Sequence, residues 1–304
     1  MKNILVIGGL GYLGGRIVKH LCDHSYKVYI TTRKQSCDYP DNVPTNCEVI
    51  TTDYSSYSDL NKLMNGIDCV IHLAGPDAHT PFNNANELIK SHIDLTERLV
   101  TISSQNSVSK FIYFSTIHVY GNNLKGIVSE ETEPDPQYPF SKSHFEAEKI
   151  ILPENCDMNK IILRCGNVYG APYFKNEKCW NLAVNQFYKN AIEKGVIIVN
   201  SPNVHRSFMS LNQSCNVIEE LVLNDSYEGI YNVGEKESIS MLDMAKRVQL
   251  SLNNNSDASC KIDTPKDLPS ISEKSFIFNS IFNNTSLNKM IQKNQIDIRD
   301  FGHN

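Results

Sequence analysis

The sequence predicts an α/β fold, a doubly wound parallel sheet with a smaller α/β part behind it, and three observations carry that prediction. Short runs rich in β-branched residues alternate with amphipathic stretches through the first half of the chain. The runs are mostly apolar on both faces, which suits strands covered by helices on either side. A glycine-rich turn joins the first run to the first amphipathic stretch. Such alternation builds βαβ units with right-handed crossovers, and these stack into a doubly wound sheet.

In order, Ile4-Leu5-Val6-Ile7 reads as a buried first strand and 12–24 as the first helix. Lys27-Val28-Tyr29-Ile30-Thr31-Thr32 is β-branched and aromatic, hence a second strand, and 47–51 follows as the third. Residues 57–65 carry a helical pattern, 69–74 the fourth strand, 84–105 a long helix and 110–115 the fifth strand. The helix over 138–152 has Pro139 suited to its first turn, and 160–163 is the sixth strand. Beyond Cys165 the rhythm loosens. Helices near 180–194, 212–223 and 240–252 surround short strands at 196–199 and 229–233. The polar, Asn/Ser/Pro-rich stretch 253–275 reads as a loop or partly ordered connection.

Composition bounds the function. A chain of 304 residues predicts about two domains. With 40% hydrophobic and 21% charged residues it is globular rather than disordered, collagenous or coiled-coil. A net charge of -5 argues against a general nucleic-acid binder. The nine cysteines are odd in number and form no CxxC pair, so reduced core thiols in a cytoplasmic protein are expected. No run of 18 apolar residues suggests a membrane span. The apolar start is broken by glycines and Arg16 and has no small-residue cleavage site after it, so a buried strand is expected there rather than a leader.

The turn Gly8-Gly9-Leu10-Gly11-Tyr12-Leu13-Gly14 lies between first strand and first helix, a Rossmann-type arrangement for binding a dinucleotide. Gly8, Gly11 and Gly14 serve the tight turn, the approach of backbone to pyrophosphate and the packing of helix on strand, with Tyr12 and Leu13 between them. The helix N-terminus adds free N–H groups and a positive dipole end. The second strand ends in Thr32-Arg33, where NAD-binding units usually carry an acidic residue. With no carboxylate there, Arg33 is free to pair with a 2′-phosphate, so NADP is expected as cofactor and NAD remains possible; the bland alternative is a solvated arginine. Asp53 is expected either to accept from the adenine amino group or to serve as a helix N-terminal carboxylate.

Tyr138-Pro139-Phe140-Ser141-Lys142 places a phenol and an ammonium four residues apart at the start of a helix. A free phenol titrates near pH ~10, and one cation at ~4 Å in an effective dielectric of ~20 supplies roughly the 4 kcal/mol needed to bring it to neutral pH. Such a pair suffices to exchange a proton beside a carbonyl.

On these motifs the chain resembles the extended short-chain dehydrogenases/reductases, the NAD(P)-dependent epimerase/dehydratase group acting on nucleotide sugars. The resemblance runs from Lys2 to about Val248. It rests on the glycine turn, His72-Leu73-Ala74-Gly75, Ser115-Thr116-Ile117-His118-Val119-Tyr120-Gly121 and Tyr138/Lys142, then on Arg164-Cys165-Gly166-Asn167-Val168-Tyr169-Gly170, Arg206-Ser207-Phe208 and Tyr231-Asn232-Val233-Gly234. It implies Tyr138 as general acid/base, Lys142 on the nicotinamide ribose, and Thr116 bonded to the reacting sugar oxygen. Leu73, Ala74 and Gly75 would line the cofactor channel, and Asn167 and Arg206 would contact the substrate diphosphate. His118 would touch a sugar hydroxyl or fill the pocket wall. No metal ligands are implied, and the histidines show no metal spacing. The implied organisation is a dinucleotide-binding domain over 1–166, rejoined by about 204–234, and a mainly substrate-binding 167–304.

Three departures stand out. His92 replaces the Asn the family usually keeps in the helix His92-Ile93-Asp94-Leu95-Thr96. Ser210 and Asn212 replace the usual His and Asp after the Arg206 motif. Ile117-His118 stand where the family's dehydratases carry an acidic pair. The expected function is NADP-dependent reduction of a nucleotide-linked 4-keto sugar. The alternatives are an epimerase with retained NAD(P), a reductase of a non-sugar ketone, and a dinucleotide-sensing regulatory protein. The last usually loses Tyr or Lys of the pair, and both are intact here. A cytoplasmic homodimer is expected, with a nucleotide sugar as partner and neither nucleic acid nor membrane.

Overall fold

The computed structural model describes residues 2–76, 85–122, 124–153, 157–175, 177–255, 260–265, 275–278 and 301. Its strands are β1 (Asn3–Ile7), β2 (Lys27–Thr32), β3 (Cys47–Thr51), β4 (Cys69–His72), β5 (Lys110–Thr116), β6 (Gly126–Val128), β7 (Asn159–Cys165) and β8 (Asn167–Tyr169). They continue with β9 (Val196–Ile198), β10 (His205–Arg206), β11 (Phe208–Ser210), β12 (Gly229–Val233), β13 (Ile239–Ser240), β14 (Lys261–Asp263) and β15 (Phe276–Phe278). The helices are α1 (Tyr12–Asp23), α2 (Tyr57–Met64), α3 (Ala85–Gln105), α4 (Pro139–Ile151), α5 (Ala183–Lys194), α6 (Leu211–Leu223) and α7 (Met241–Asn255). Among the described residues no helix is long and apolar enough to cross a membrane.

Seven strands form a parallel sheet in the order β12-β7-β5-β4-β1-β2-β3, so the doubly wound expectation holds. The order reverses at β1, which pairs β2 on one side and β4 on the other, with Ile7 opposite both Thr31 and His72. Such a switch point opens a crevice at the carboxyl ends of the strands. The chain forms two compact units. One comprises Met1–Asn122, Glu133–Arg164 and Val217–Tyr231; the other Asn123–Thr132, Cys165–Asn216 and Asn232–Asn304.

In the first unit Leu5 and Ile7 of β1 pack with Leu60, Met64, Leu99, Ile102, Ala147 and Ile151 from α2, α3 and α4. Ile4 and Val6 are equally buried and by strand alternation face the other side of the sheet. Lys110, 2% exposed, extends its ammonium to the carbonyls of Leu221 and Asn224 and to Asp225, and Lys2 reaches the Val222 carbonyl. These two lysines satisfy the unpaired carbonyls at the end of α6. The second unit has its own core of Val184, Phe187, Tyr188, Phe208, Met244 and Val248, with Phe301 stacked on Tyr188 at 4.1 Å.

Most predicted elements are present within two residues of their expected ends. The fourth strand stops at His72, because Leu73 turns out of the sheet with its N–H still bonded to the Ile7 carbonyl at 3.0 Å. The helix expected from 180 divides into a 3₁₀ turn, Glu177–Asn181, and α5, which ends on Gly195 in the left-handed conformation. The polar stretch 253–275 is not all connection: β14 within it pairs in parallel with β9. Of that stretch, 256–259 and 266–274 lie outside the described residues. The small pairs β10·β13, β11·β8 and β15·β6 were not legible, since two or three residues show no period.

Candidate active site

The glycine turn builds the phosphate end of a pocket. Gly8 takes φ +85, and a Cβ there would stand 3.0 Å from the Ala74 nitrogen. A Cβ on Gly14 would stand 2.3 Å from the Gly8 carbonyl oxygen, so α1 can pack on the turn only through glycine. Gly11 caps α1 without a side-chain bond, and no acidic residue sits in the first turn. The helix start therefore keeps its N–H donors and positive dipole end for an anion.

This turn opens into a pocket of about 810 Å³ in the first unit. Of the residues expected to hold a dinucleotide, Gly8, Gly11, Arg33, Asp53, Leu73, Ala74 and Gly75 line it. Tyr12, Leu13 and Gly14 do not line it, and Gly14 acts through packing. The glycine cradle, the open helix terminus and the pocket size suit a dinucleotide. Sequence reading missed one whole wall: Leu88, Ser91, His92, Leu95 and Arg98 present one face of α3. Their spacing of three and four was the available signal.

At the β2 end of the pocket Arg33, Lys34 and Arg98 bring three cations. Arg98 donates to the carbonyls of Tyr54 and Ser55 at 3.0 and 3.2 Å. Tyr54 has φ +62, a left-handed conformation uncommon for a bulky residue, and its hydroxyl donates to Thr31 at 3.0 Å. Asp53 accepts from the backbone N–H and hydroxyl of Ser55 at 2.8 and 2.7 Å, and these bonds hold its carboxyl below the usual range. Ser56, not Asp53, caps α2 by accepting from the Asp59 N–H.

Tyr138 stands at the N-cap of α4 with Pro139 first in the helix, and it is 51% exposed. Its carbonyl accepts from the Lys142 N–H at 2.9 Å, and the Ser141 hydroxyl lies 3.2 Å from its nitrogen. Backbone and Ser141 fix the helix start and leave the phenol outward. Thr116 ends β5, buried, with its hydroxyl oxygen accepting from the His118 N–H at 3.2 Å, which leaves its proton to donate elsewhere. Ile117 is buried; the His118 ring meets Phe140 edge-on at 6.4 Å. Thr116, His118, Tyr138 and Lys142 are outside the lining of the 810 Å³ pocket.

Asn167 and Arg206 belong to the second unit. There Gly166, Asn167 and Gly234 converge on Ser207. The Asn167 backbone N–H donates to the Ser207 carbonyl at 2.8 Å, and the Ser207 hydroxyl donates to the Glu235 carbonyl at 2.8 Å. A Cβ on Gly166 or Gly234 would fall 2.8 or 2.5 Å from Ser207 atoms. Arg206 has one guanidinium nitrogen on the His205 carbonyl at 2.8 Å.

Two buried polar groups, neither read from the sequence, hold α4. The Glu148 carboxylate accepts from Arg164 at 2.7 Å and from the Ser115 hydroxyl, and Arg164 also donates to the Tyr120 hydroxyl at 2.8 Å. Behind the Gly75 wall, His92 bonds Ser143 of α4, and the Tyr113 hydroxyl lies 3.4 Å from His92 and 2.7 Å from His144. His72 bonds Thr96 at 3.1 Å. The replacement of Asn by His92 thus ties α3 to α4.

Burial drives these three histidines neutral: His72 and His144 titrate well below the usual range, and His92 is lowered to about 4. The unfolded chain binds their protons near pH ~6.5, while the folded chain resists until far lower pH. Their stabilisation is complete above pH ~6.5 and is lost as the pH falls below it, for His92 through about 4. For His92 alone the loss is about 3 kcal/mol over that window. Urea unfolding at pH 7 and pH 5 should show a clear drop in midpoint, and His144→Phe should reduce the drop. Equal midpoints would contradict neutral burial.

Comparison with known proteins agrees with this geometry. Residues 4–234 match the NAD dependent epimerase/dehydratase family. A sterol-4-alpha-carboxylate 3-dehydrogenase (decarboxylating) of Dictyostelium discoideum is 30% identical over 184 residues, 56% of this chain and 55% of that protein. A dTDP-D-glucose 4,6-dehydratase of Mus musculus is 28% identical, covering 88% of this chain and 79% of that protein. A mutant UDP-glucuronic acid 4-epimerase from Bacillus cereus, solved with UDP-4-deoxy-4-fluoro-glucuronic acid and NAD, superposes with a TM-score of 0.75. It is 22% identical over 98% of this chain and 96% of that one.

Proposed function

We propose that this chain, which belongs to the NAD dependent epimerase/dehydratase family and is an enzyme of the short-chain dehydrogenase/reductase type, reduces the keto group of a nucleotide-linked 4-keto sugar with NADPH. The observation that carries the choice of cofactor is the end of β2: Thr32, Arg33 and Lys34 line the pocket with Arg98, and no carboxylate ends the strand. A 2′-phosphate meets cations there, and Arg33 offers it a charge-assisted bond. Gly8 and Gly11 with the α1 terminus would hold the pyrophosphate, and Leu73 to Gly75 the nicotinamide side.

A nicotinamide held there would supply the hydride for the keto carbon, Tyr138 would donate its phenolic proton to the oxygen, and Lys142 would hold the ribose. Thr116 would donate a hydrogen bond to the same oxygen, its hydroxyl proton not being used in the bond it accepts from the His118 N–H. In the second unit, Asn167 and Arg206 are proposed as partners of the substrate diphosphate. The buried Ile117 supplies no acid for eliminating water, which argues against dehydration.

An epimerase using the same residues is equally supported by the relatives, and the structural neighbour described above was solved with NAD. Stoichiometry separates the two. A reductase consumes one NADPH per sugar reduced and stops without it; interconversion of two nucleotide-sugar epimers with no net NADPH oxidation would establish the epimerase. For the cofactor, the wild type should bind NADP more tightly than NAD by ~10- to 100-fold, the worth of one charge-assisted bond, and Arg33→Ala should erase most of that ratio. Equal wild-type affinities, measured by fluorescence titration, would refute the assignment.

A further inference from the structure

We infer that His20, His24 and Glu219 form a binding site for one divalent transition-metal ion of the zinc class, which clips the end of α1 to α6. None of the three lines the dinucleotide pocket, and the inference stands independently of the proposed reaction. His20 Nε2 lies 2.8 Å from one Glu219 oxygen, and His24 Nε2 lies 3.6 Å from the other. One ligand atom from each of the three residues falls within 4.8 Å of the other two. Ligands bound at ~2.0 Å in tetrahedral geometry stand roughly 3.3 Å apart, so small side-chain rotations suffice to close the set on an ion.

The orientation of the rings is prepared. His24 Nδ1 sits 2.8 Å from the His20 carbonyl oxygen, a bond that places the proton on Nδ1 and the lone pair on Nε2, the atom facing Glu219. Metal-binding imidazoles are fixed by such a bond from the other ring nitrogen. His20 and His24 are one turn apart on the same helical face, the spacing by which two histidines of a helix share an ion. Glu219 stands on the α6 segment whose final carbonyls Lys2 and Lys110 secure. The third ligand lies 199 residues along the chain from His20, so the sequence offers only the His20/His24 pair, whose four-residue spacing the reading of the histidines as free of metal spacing passed over.

Two imidazoles and one carboxylate select Zn²⁺, Ni²⁺ or Cu²⁺ over Mg²⁺ and Ca²⁺, which take oxygen ligands. His24 is 45% exposed, so water completes the coordination and the ion exchanges with solvent. The expected affinity is therefore micromolar.

The test is a Zn²⁺ titration of the full chain against a chromophoric chelator. It uses a Cys37→Ser/Cys47→Ser background, which removes the two cysteines not buried among those described. One equivalent should bind. His24→Ala and Glu219→Gln should each weaken binding at least about 10-fold and abolish the zinc-induced rise in melting temperature. Both positions are partly exposed, so these variants retain the fold, which circular dichroism checks. With Cu²⁺ as probe, electron paramagnetic resonance should report two nitrogen ligands in the background protein and one in His24→Ala. Absence of binding well above micromolar zinc, or binding in both variants as tight as in the background protein, overturns the site.

Discussion

Tyr138→Phe is expected to lower turnover by about 10²- to 10⁴-fold, the usual scale of general acid/base catalysis. The change keeps the ring and removes only the hydroxyl. The α4 start is held by the Lys142-to-Tyr138 backbone bond and by Ser141, neither of which involves the phenol, so fold and dinucleotide affinity should be unchanged. Thr116→Val should cost less, because it removes a polarising donor without removing the transferred proton. The two variants should therefore separate in turnover while binding the dinucleotide alike. Near-normal turnover in Tyr138→Phe, with reduction followed by nicotinamide absorbance, would remove Tyr138 from the chemistry.

The largest loss of stability is expected from Glu148→Ala. Glu148 is fully buried and Arg164 is 3% exposed, so the substitution takes the carboxylate partner away from a buried guanidinium. Breaking one side of a buried ion pair costs about 3–5 kcal/mol. For a unit of this size that lowers the melting temperature by roughly 10 °C. Glu148→Ala/Arg164→Met should recover part of the loss, because it removes the stranded charge as well. Equilibrium urea unfolding checks both, and a single variant as stable as the parent would mean that water reaches Arg164. Turnover should fall with stability, since Glu148 joins α4, and with it Tyr138 and Lys142, to β5 and β7 through Ser115 and Arg164.

Glu148 and His92 show where sequence reading stops. Glu148 lies in an amphipathic helix among Glu146 and Lys149, which pair with each other at the surface, and nothing local marks it as the one turned inward. Its partner Arg164 is visible as the first residue of a motif, but the bond is made 16 residues away in the chain. His92 is visible as a departure from the expected Asn. That it is buried and bonded to Ser143 follows only from the packing of α3 on α4. Asp53 was readable in two ways; the structure shows that Ser56, not Asp53, caps α2, while Asp53 bonds Ser55 and lines the pocket.

What the sequence by itself determined is local and periodic. The β-branched runs specify strands, the amphipathic stretches specify helices, Gly14 is dictated by contacts within its own turn, where no side chain fits, and Gly8 by its positive φ in that turn. The Tyr138/Lys142 spacing needs only one helical turn to acquire meaning. Only the tertiary structure decided the order β12-β7-β5-β4-β1-β2-β3, the α3 wall of the pocket, the burial of Glu148, Arg164 and three histidines, and the meeting of His20 and His24 with Glu219. The physical reason is that a charge or imidazole tolerates burial only when distant residues supply its partners. Such partners are chosen by the packing of whole elements, and no period within a single element records them.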